Sequence, residues 1–381
     1  MIQIEKIIPG GEALGTLPDG KKIFFWGALP GETVVEYQTT KKKSNFEEAI
    51  ATKIENPSKH RVVPKDDCYL STSPWQIMDY DYELQLKAEL VVEIFREHQI
   101  AIEKPEVVTD GKDYFYRNKM EYSLFWDNEK NQIELSFHNR GSHRKFIISS
   151  SSIERPELFN RAKEIVADLN ARHEEARKYQ SILLRCNEKG EVSGGLFENH
   201  QPHPTFKNLT DTILGREYFY SPNGFFQINL PVYEMTLKEI KKHITTKKVL
   251  DLYSGVGTIG LSVANDKKLT LVEVDKSCFN EMKKNAGNSA TAILDKSENV
   301  TNYIEPDMTV ILDPPRAGCD KKLIDKLLKI APEKIIYLSC NPATQARDVK
   351  LLLEKYHIET LKTFNFFPRT PHIENLIVLS L

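Results

Sequence analysis

Over the first ~56 residues, apolar and polar positions alternate in short runs: MIQIEKII, KKIFFWGAL, ETVVEYQTT and EEAIATKIE. Each is bounded by turn-forming stretches, PGGEALG, PDG, PG and KKKSN, so the pattern predicts closely spaced short strands. Strands this dense suggest a small barrel of OB type over residues 1–56. Lys41, Lys42 and Lys43 fall in one punctuating stretch and read as a solvated turn. NPSKHRVVPKDD then reads as a linker. From 79 to 99 the period lengthens to that of a helix, with Leu84, Ala88, Val91, Val92 and Phe95 on one side.

Residues 57–215 form a mixed α+β region, with strands at KMEYSLFW, QIELSFHN and SILLRCN and a helix near 156–172. After 216 the grammar changes. KKVLDLYS, LTLVEVD, ATAILD, MTVILDPP, KIIYLSC, ETLKTFNFF and ENLIVLSL recur with helical stretches between them. Buried strands alternating with helices predict a doubly wound parallel sheet over 216–381. Ligands on such sheets bind beyond the carboxyl ends of the strands.

Composition narrows the class only a little. The 381 residues are 40% hydrophobic and 28% charged, with net charge −2, so nothing global advertises nucleic acid. Any such role rests on local patches. Arg117, Lys119, Arg140, His143, Arg144 and Lys145 lie beside aromatic residues in YRNKMEYS and HNRGSHRK, a combination that suits phosphates and stacked bases of RNA. Surface decoration of a sheet fits the same residues. Cys68, Cys186, Cys278, Cys319 and Cys340 show no C-x-x-C spacing, which argues against a disulfide framework or a zinc site and for a reducing compartment. With no signal-like start and no apolar run near the ~20 residues of a membrane helix, the expectation is a soluble cytoplasmic protein.

LDLYSGVGTIG contains Gly255, Gly257 and Gly260, with Glu273 ending the next strand. This pattern fits a dinucleotide site and an S-adenosylmethionine (SAM) site alike. Asp251 favours SAM, because a carboxylate there would repel a pyrophosphate yet suits a cationic ligand. In VILDPPRAG, Asp313 ends a strand and Pro314-Pro315 stiffen the loop after it; Arg316 is placed to meet a phosphate. In YLSCNPATQ, Asn341 is a good N-cap and Pro342 a good first helical residue. Cys340 therefore sits at the positive end of a helix, where thiolate is favoured over thiol. A thiolate there could add to carbon 6 of uracil and activate carbon 5 toward a methyl group. The scheme needs a base, and FPRTPHIENL offers His372 and Glu374, on one face if extended.

These pieces together resemble the RNA (uracil-5-)-methyltransferase family over essentially the whole chain. The first ~60 residues look like its TRAM domain, an OB-type RNA-binding barrel. YRNKMEYS and LSFHNRGSH look like RNA-facing segments, and SPNGFFQIN, LDLYSGVGTIGL, VEVD, LDPPRAG, YLSCNPAT and FPRTPHIENL like catalytic blocks. The resemblance implies a class I SAM methyltransferase domain. It makes Gln227, Tyr253, Thr258, Glu273, Asp295 and Asp313 cofactor contacts, Cys340 the nucleophile and Glu374 the proton acceptor. It implies a uridine in rRNA, or alternatively tRNA, as substrate, and a helix near 84–104 packed on the catalytic domain. Arg117, Lys119, Arg140 and Arg316 are the candidate RNA contacts; Arg369 has no assigned role.

Some rRNA members hold an iron–sulfur cluster on C-x5-C-G-G-C plus a later cysteine. This chain keeps only Cys68 in DDCYLSTSPWQIM and has serines in IISSSSIERPELF. One thiolate cannot hold a cluster that needs four, so no cluster or other metal is expected, with Trp75 filling the space. One chain carries every part, so a monomer suffices. The alternatives are an Asp-Pro-Pro amino-group methylase, which needs neither Cys340 nor Glu374, and a non-catalytic RNA-binding or folding factor.

Overall fold

The computed structural model describes residues 1–381. Five strands, β1 (Ile2–Ile7), β2 (Ala13–Thr16), β3 (Lys22–Trp26), β4 (Thr33–Lys42) and β5 (Phe46–Glu55), close into a barrel in the order β1-β2-β3-β5-β4. Alternating apolar positions such as Ile2, Ile4, Ile23, Phe25 and Val34 fill it. Lys41 and Lys42 are not in a turn. They extend β4 and face Glu48 and Glu47 across the ladder, pairing with them at 2.7 and 2.9 Å. Opposite charges directly across an antiparallel pair favour the ladder, which a composition-based reading of the lysines misses.

A single turn, α1 (Tyr69–Thr72), precedes α2 (Tyr80–Glu97). Asp79 caps α2 by accepting from the Tyr82 N–H at 2.8 Å. The helix ends at Glu97, short of the expected 104, where Gln99 takes a left-handed φ of 59°. Its buried face also differs from the expected one. Leu84 and Val92 are half-buried, and Glu83 and Lys87 lie buried beside Leu86, Leu90 and Ile94. That apolar stripe shares a core with Val349 and Leu352 and with barrel residues.

The central region is a sheet of β7 (Lys119–Asp127), β8 (Gln132–His138), β9 (Lys145–Ile147), β10 (Tyr179–Cys186) and β11 (Val192–Glu198) in the order β11-β10-β7-β8-β9. Helix α3 (Pro156–Ala171) covers one face through Leu158, Phe159, Ala162 and Leu169. The short β6 (Val107–Val108) instead joins the last sheet, and the hairpin β12 (Leu209–Ile213) and β13 (Arg216–Tyr220) shares the core of that sheet.

That last sheet has the strand order β16-β15-β14-β17-β18-β20-β19-β6. In chain order its elements are α4 (Leu230–Lys242), β14 (Lys248–Leu252), α5 (Thr258–Val263), β15 (Lys268–Glu273), α6 (Lys276–Ala286), β16 (Thr291–Leu294), β17 (Met308–Leu312), α7 (Lys321–Ile330), β18 (Lys334–Ser339), α8 (Pro342–Leu352), β19 (His357–Phe364) and β20 (Glu374–Ser380). The doubly wound α/β sheet is as expected except that β20 runs antiparallel to β18 and β19. No helix separates β19 from β20, and a short connection permits only antiparallel pairing.

Cys68 and the serine segment do come together: Cys68 Sγ donates to the Ser150 carbonyl at 3.7 Å. Beside them Ser152 donates to Asp66 through its N–H and hydroxyl at 3.0 and 2.7 Å, and Gln76 Nε2 donates to the same carboxylate at 2.9 Å. Trp75 does not fill this place. It belongs to the core between barrel and α2, while Cys68 belongs to that of the central sheet.

Candidate active site

Chain order reverses between β14 and β17, and the crevice at such a switch point is the default ligand site. Around it the carboxyl ends of the parallel strands deliver Tyr253, Glu273, Asp313 and Cys340, while the reversed β20 brings its first residue, Glu374, to the same edge. Gln227, Tyr253, Thr258 and Asp313 line one crevice together with Phe225, Phe226 and Tyr233. The three aromatic residues were not singled out from the sequence; the quoted SPNGFFQIN contains two of them.

The glycine turn is built for close approach. Gly257 has φ of 87°, and a Cβ on Gly260 would lie 2.7 Å from Leu271 and 2.8 Å from Asp251. Asp251 accepts from the Gly260 N–H at 2.9 Å through Oδ2, while its buried Oδ1 has no partner. Burial first, then the charges of Asp313 and Glu273, push its carboxyl up to about 8. Burial likewise pushes Asp313 up to about 7. Of these acids Asp313 lines the crevice, and Asp251 lies buried under the glycine turn; acidic groups here suit a cationic ligand and repel a pyrophosphate. Glu273 accepts from the Gly255 N–H at 2.8 Å and from the Val274 and Asp275 N–H groups at 2.8 and 2.6 Å. Asp295 stands just beyond, its N–H on the Glu273 carbonyl at 3.1 Å and its carboxylate on Asn299 at 2.8 Å. It lies outside the residues lining the crevice.

The raised carboxyl of Asp313 makes the stability of the fold depend on pH. A pKa near 7 in the folded protein against an ordinary 3.8 means folding favours the proton. That stabilisation is fully present below the ordinary value and is lost as pH rises through 7. Asp313→Asn is therefore expected to gain stability relative to wild type as pH goes from 4 to 8. Urea midpoints across that range check it; a difference independent of pH contradicts it.

Cys340 and Glu374 meet through strand register. Ser339 of β18 pairs with Asn375 of β20, so the next positions outward are Cys340 and Glu374, at the spacing of a cross-strand pair, ~5 Å between Cβ atoms. A buried amide lock holds this register: Gln345 Nε2 donates to the Tyr337 and Asn375 carbonyls at 2.8 and 3.0 Å, and Asn375 Nδ2 returns a bond to Gln345 at 2.8 Å. Asn341 caps α8 by accepting from Ala343 and donates to the Arg316 carbonyl at 2.9 Å, stitching the Asp-Pro-Pro-Arg loop to the cysteine turn. Asn375 is a polar residue at the start of an apolar run and Gln345 stands among small and polar residues of α8; neither carries a further sequence signal.

The expected thiolate is not what this arrangement favours. Burial, then Glu374 and Asp313, push the Cys340 thiol up to about 11, against Arg316 and a backbone hydrogen bond, which lower it. Burial together with two carboxylates that the sequence places far away outweighs the helix end. Burial and Asp313 also raise Glu374 well above the usual carboxylate range. His372 precedes β20 without belonging to it and stands at the surface beside Phe367. Protein packed about its ring, then Arg316, Lys87, Arg117 and Arg140, push its imidazole down to about 4, so it is neutral near pH 7.

The candidate RNA contacts have other partners as well. Arg316 is exposed on its loop. Lys119 Nζ donates to the Asn223 and Gly224 carbonyls, both at 3.2 Å, and so grips the loop that lines the crevice. Arg117 Nε donates to the Lys119 carbonyl at 2.9 Å. Arg140 stacks 4.1 Å over Trp26 and donates to the Leu70 carbonyl, tying the central sheet to the barrel. No group of three or more His, Cys, Asp or Glu side chains is arranged to hold a metal ion, and no helix is long and apolar enough to cross a membrane.

The profile of the tRNA (uracil-5-)-methyltransferase family matches residues 299–381, which contain Asp313, Cys340 and Glu374. An RNA methyltransferase of Staphylococcus aureus strain MW2 is 30% identical, over 94% of this chain and 93% of its own. One from Bacillus anthracis is 28% identical over 100% and 96%. The crystal structure of Pyrococcus abyssi tRNA (uracil-54, C5)-methyltransferase in complex with S-adenosyl-L-homocysteine superposes with a TM-score of 0.78 at 23% identity, covering 100% of both chains. It shares the fold. The chain belongs to the RNA (uracil-5-)-methyltransferase family.

Proposed function

We propose that this protein transfers a methyl group from SAM to carbon 5 of a uridine in structured RNA, with Cys340 as nucleophile and Glu374 as proton acceptor. The observation that carries the reading is the register that sets Cys340 beside Glu374, with Asp313 close enough to raise both groups. SAM, when bound, supplies an electrophilic methyl on a cationic sulfur. Gln227, Tyr253, Thr258, Glu273, Asp295 and Asp313 would hold it, and the unmet Oδ1 of Asp251 fits its positive charge.

Sulfur of Cys340 would bond to carbon 6 of the uracil as its S–H proton passes to solvent. The electron pair freed at carbon 5 would form the new bond to the methyl carbon as that carbon's bond to the cofactor sulfur breaks, the bonding pair staying on that sulfur. Glu374 then takes the proton from carbon 5, the double bond re-forms, and the sulfur–carbon bond breaks to return thiolate. A carboxylate whose pKa is raised by burial is the stronger base once ionised. Positive charge brought next to Asp313 and Glu374 lowers the carboxylates' repulsion of the thiolate. Arg316, Arg117, Lys119 and Arg140 are read as contacts that hold RNA phosphates, and the barrel over 1–56 and the region to 215 as the RNA-binding part of a monomer.

Nuclease digestion and mass spectrometry of ribosomal and transfer RNA incubated with protein and SAM test the reading. 5-Methyluridine is expected, and the labelled fragment identifies which RNA carries it. Methyl groups on adenine or cytosine amino nitrogens instead, or no product on either RNA, overturn it.

A further inference from the structure

Residues Asn365–Ile373 carry the chain from β19 to Glu374 without helix or strand. The backbone of 366–369 is held from outside. Asn229 Nδ2 donates to the Phe366 carbonyl at 3.2 Å, Lys87 Nζ to that of Phe367 at 3.0 Å, and the Tyr116 hydroxyl to that of Pro368 at 3.0 Å. The Arg369 N–H donates to both oxygens of Glu83 at 3.0 Å, and the Arg369 carbonyl accepts from the Trp75 N–H at 3.1 Å.

Glu83 and Lys87 stand one turn apart on α2, fully buried, and pair at 3.0 Å. Lys87 also donates to Asn365 Oδ1 at 2.6 Å. Arg369 takes a left-handed φ of 63°, and its guanidinium reaches Asp113 and the Met78 carbonyl. A buried ion pair is weak evidence for net stability, since apolar residues of like volume often serve as well. What this pair does supply is a defined path for the segment ahead of β20.

We infer that Glu83 and Lys87 are positioning residues for Glu374: by fixing the backbone of 365–369 they set where its carboxylate enters the active site. The inference rests on Glu374 being the proton acceptor. It makes proton removal, and not sulfur addition, the step that depends on the pair.

Two RNA substrates separate the steps. Fluorine on carbon 5 cannot leave as a proton acceptor needs, so 5-fluorouridine RNA traps the covalent complex whatever the state of the clamp. Tritium on carbon 5 of ordinary RNA reports proton removal. The double variant Glu83→Gln, Lys87→Met removes both charges, leaving neither buried alone. It is expected to trap 5-fluorouridine RNA at the wild-type rate, to release tritium about 10²-fold more slowly, the cost of ~1 Å misplacement of a reacting group, and to accumulate adduct on ordinary RNA. Tritium release at the wild-type rate overturns the inference, and so does an equal loss in both assays. Should the double variant fail to fold, Tyr116→Phe, which removes one hydroxyl from the Pro368 carbonyl, carries the same test with a several-fold slowing expected; release at the wild-type rate again overturns it. Failure of wild-type protein to trap 5-fluorouridine RNA overturns the proposed chemistry itself, independently of the clamp.

Discussion

Glu374→Gln is expected to leave the protein joined to its RNA. The amide keeps the size of the side chain and removes the base. Cys340 still adds and the methyl still moves, but carbon 5 keeps its proton and sulfur cannot depart. Turnover should fall ~10²–10⁴-fold, the usual worth of a positioned general base, while a band of protein plus RNA appears on a denaturing gel. The substitution should not unfold the chain, because the wild-type carboxyl is buried beside Asp313 and raised well above its usual range. A neutral amide removes that repulsion. Intact turnover with no adduct would mean that another group takes the proton, and His372, neutral near pH 7, would be the next candidate.

Cys340→Ala is expected to abolish methyl transfer. Without sulfur addition, carbon 5 of uracil is too weak a nucleophile to attack a methyl group, and no neighbour can replace the thiol. Cys319, the nearest other cysteine in sequence, is buried in the core under α7 and α8. The variant should still bind RNA and SAM, since none of the residues assigned to either is altered. Residual transfer of labelled methyl near the wild-type rate would rule out the covalent scheme.

Much of this site was legible in the sequence because its parts sit at strand ends. Asp313 and Cys340 each follow an apolar run, so alternation of buried strands with helices places both at one edge; Glu374 begins a run, and only the reversal of β20 brings it to that edge. The barrel was legible from short alternating runs set closely between turn signals. What the sequence hid depends on contacts between distant segments. Glu83 and Lys87 look like the solvated side of an amphipathic helix until Asn365 and Arg369 are brought against them. The state of the Cys340 thiol follows from burial and from two carboxylates that only the fold delivers, and together these outweigh the helix end visible in the local sequence. Lys119 and Arg140 show the same limit: basic residues beside rings suggest RNA, yet one grips the crevice loop and the other stacks on Trp26. The reversed β20 was hidden as well, since an apolar run does not state its direction.

The most direct measurement is peptide mass spectrometry of the complex formed by wild-type protein, SAM and 5-fluorouridine RNA. After digestion, the modified peptide should span Cys340 and carry a methylated fluorouracil nucleotide on that sulfur. A nucleotide attached to any other residue, or a complete absence of covalent complex under conditions that methylate ordinary RNA, would contradict the account.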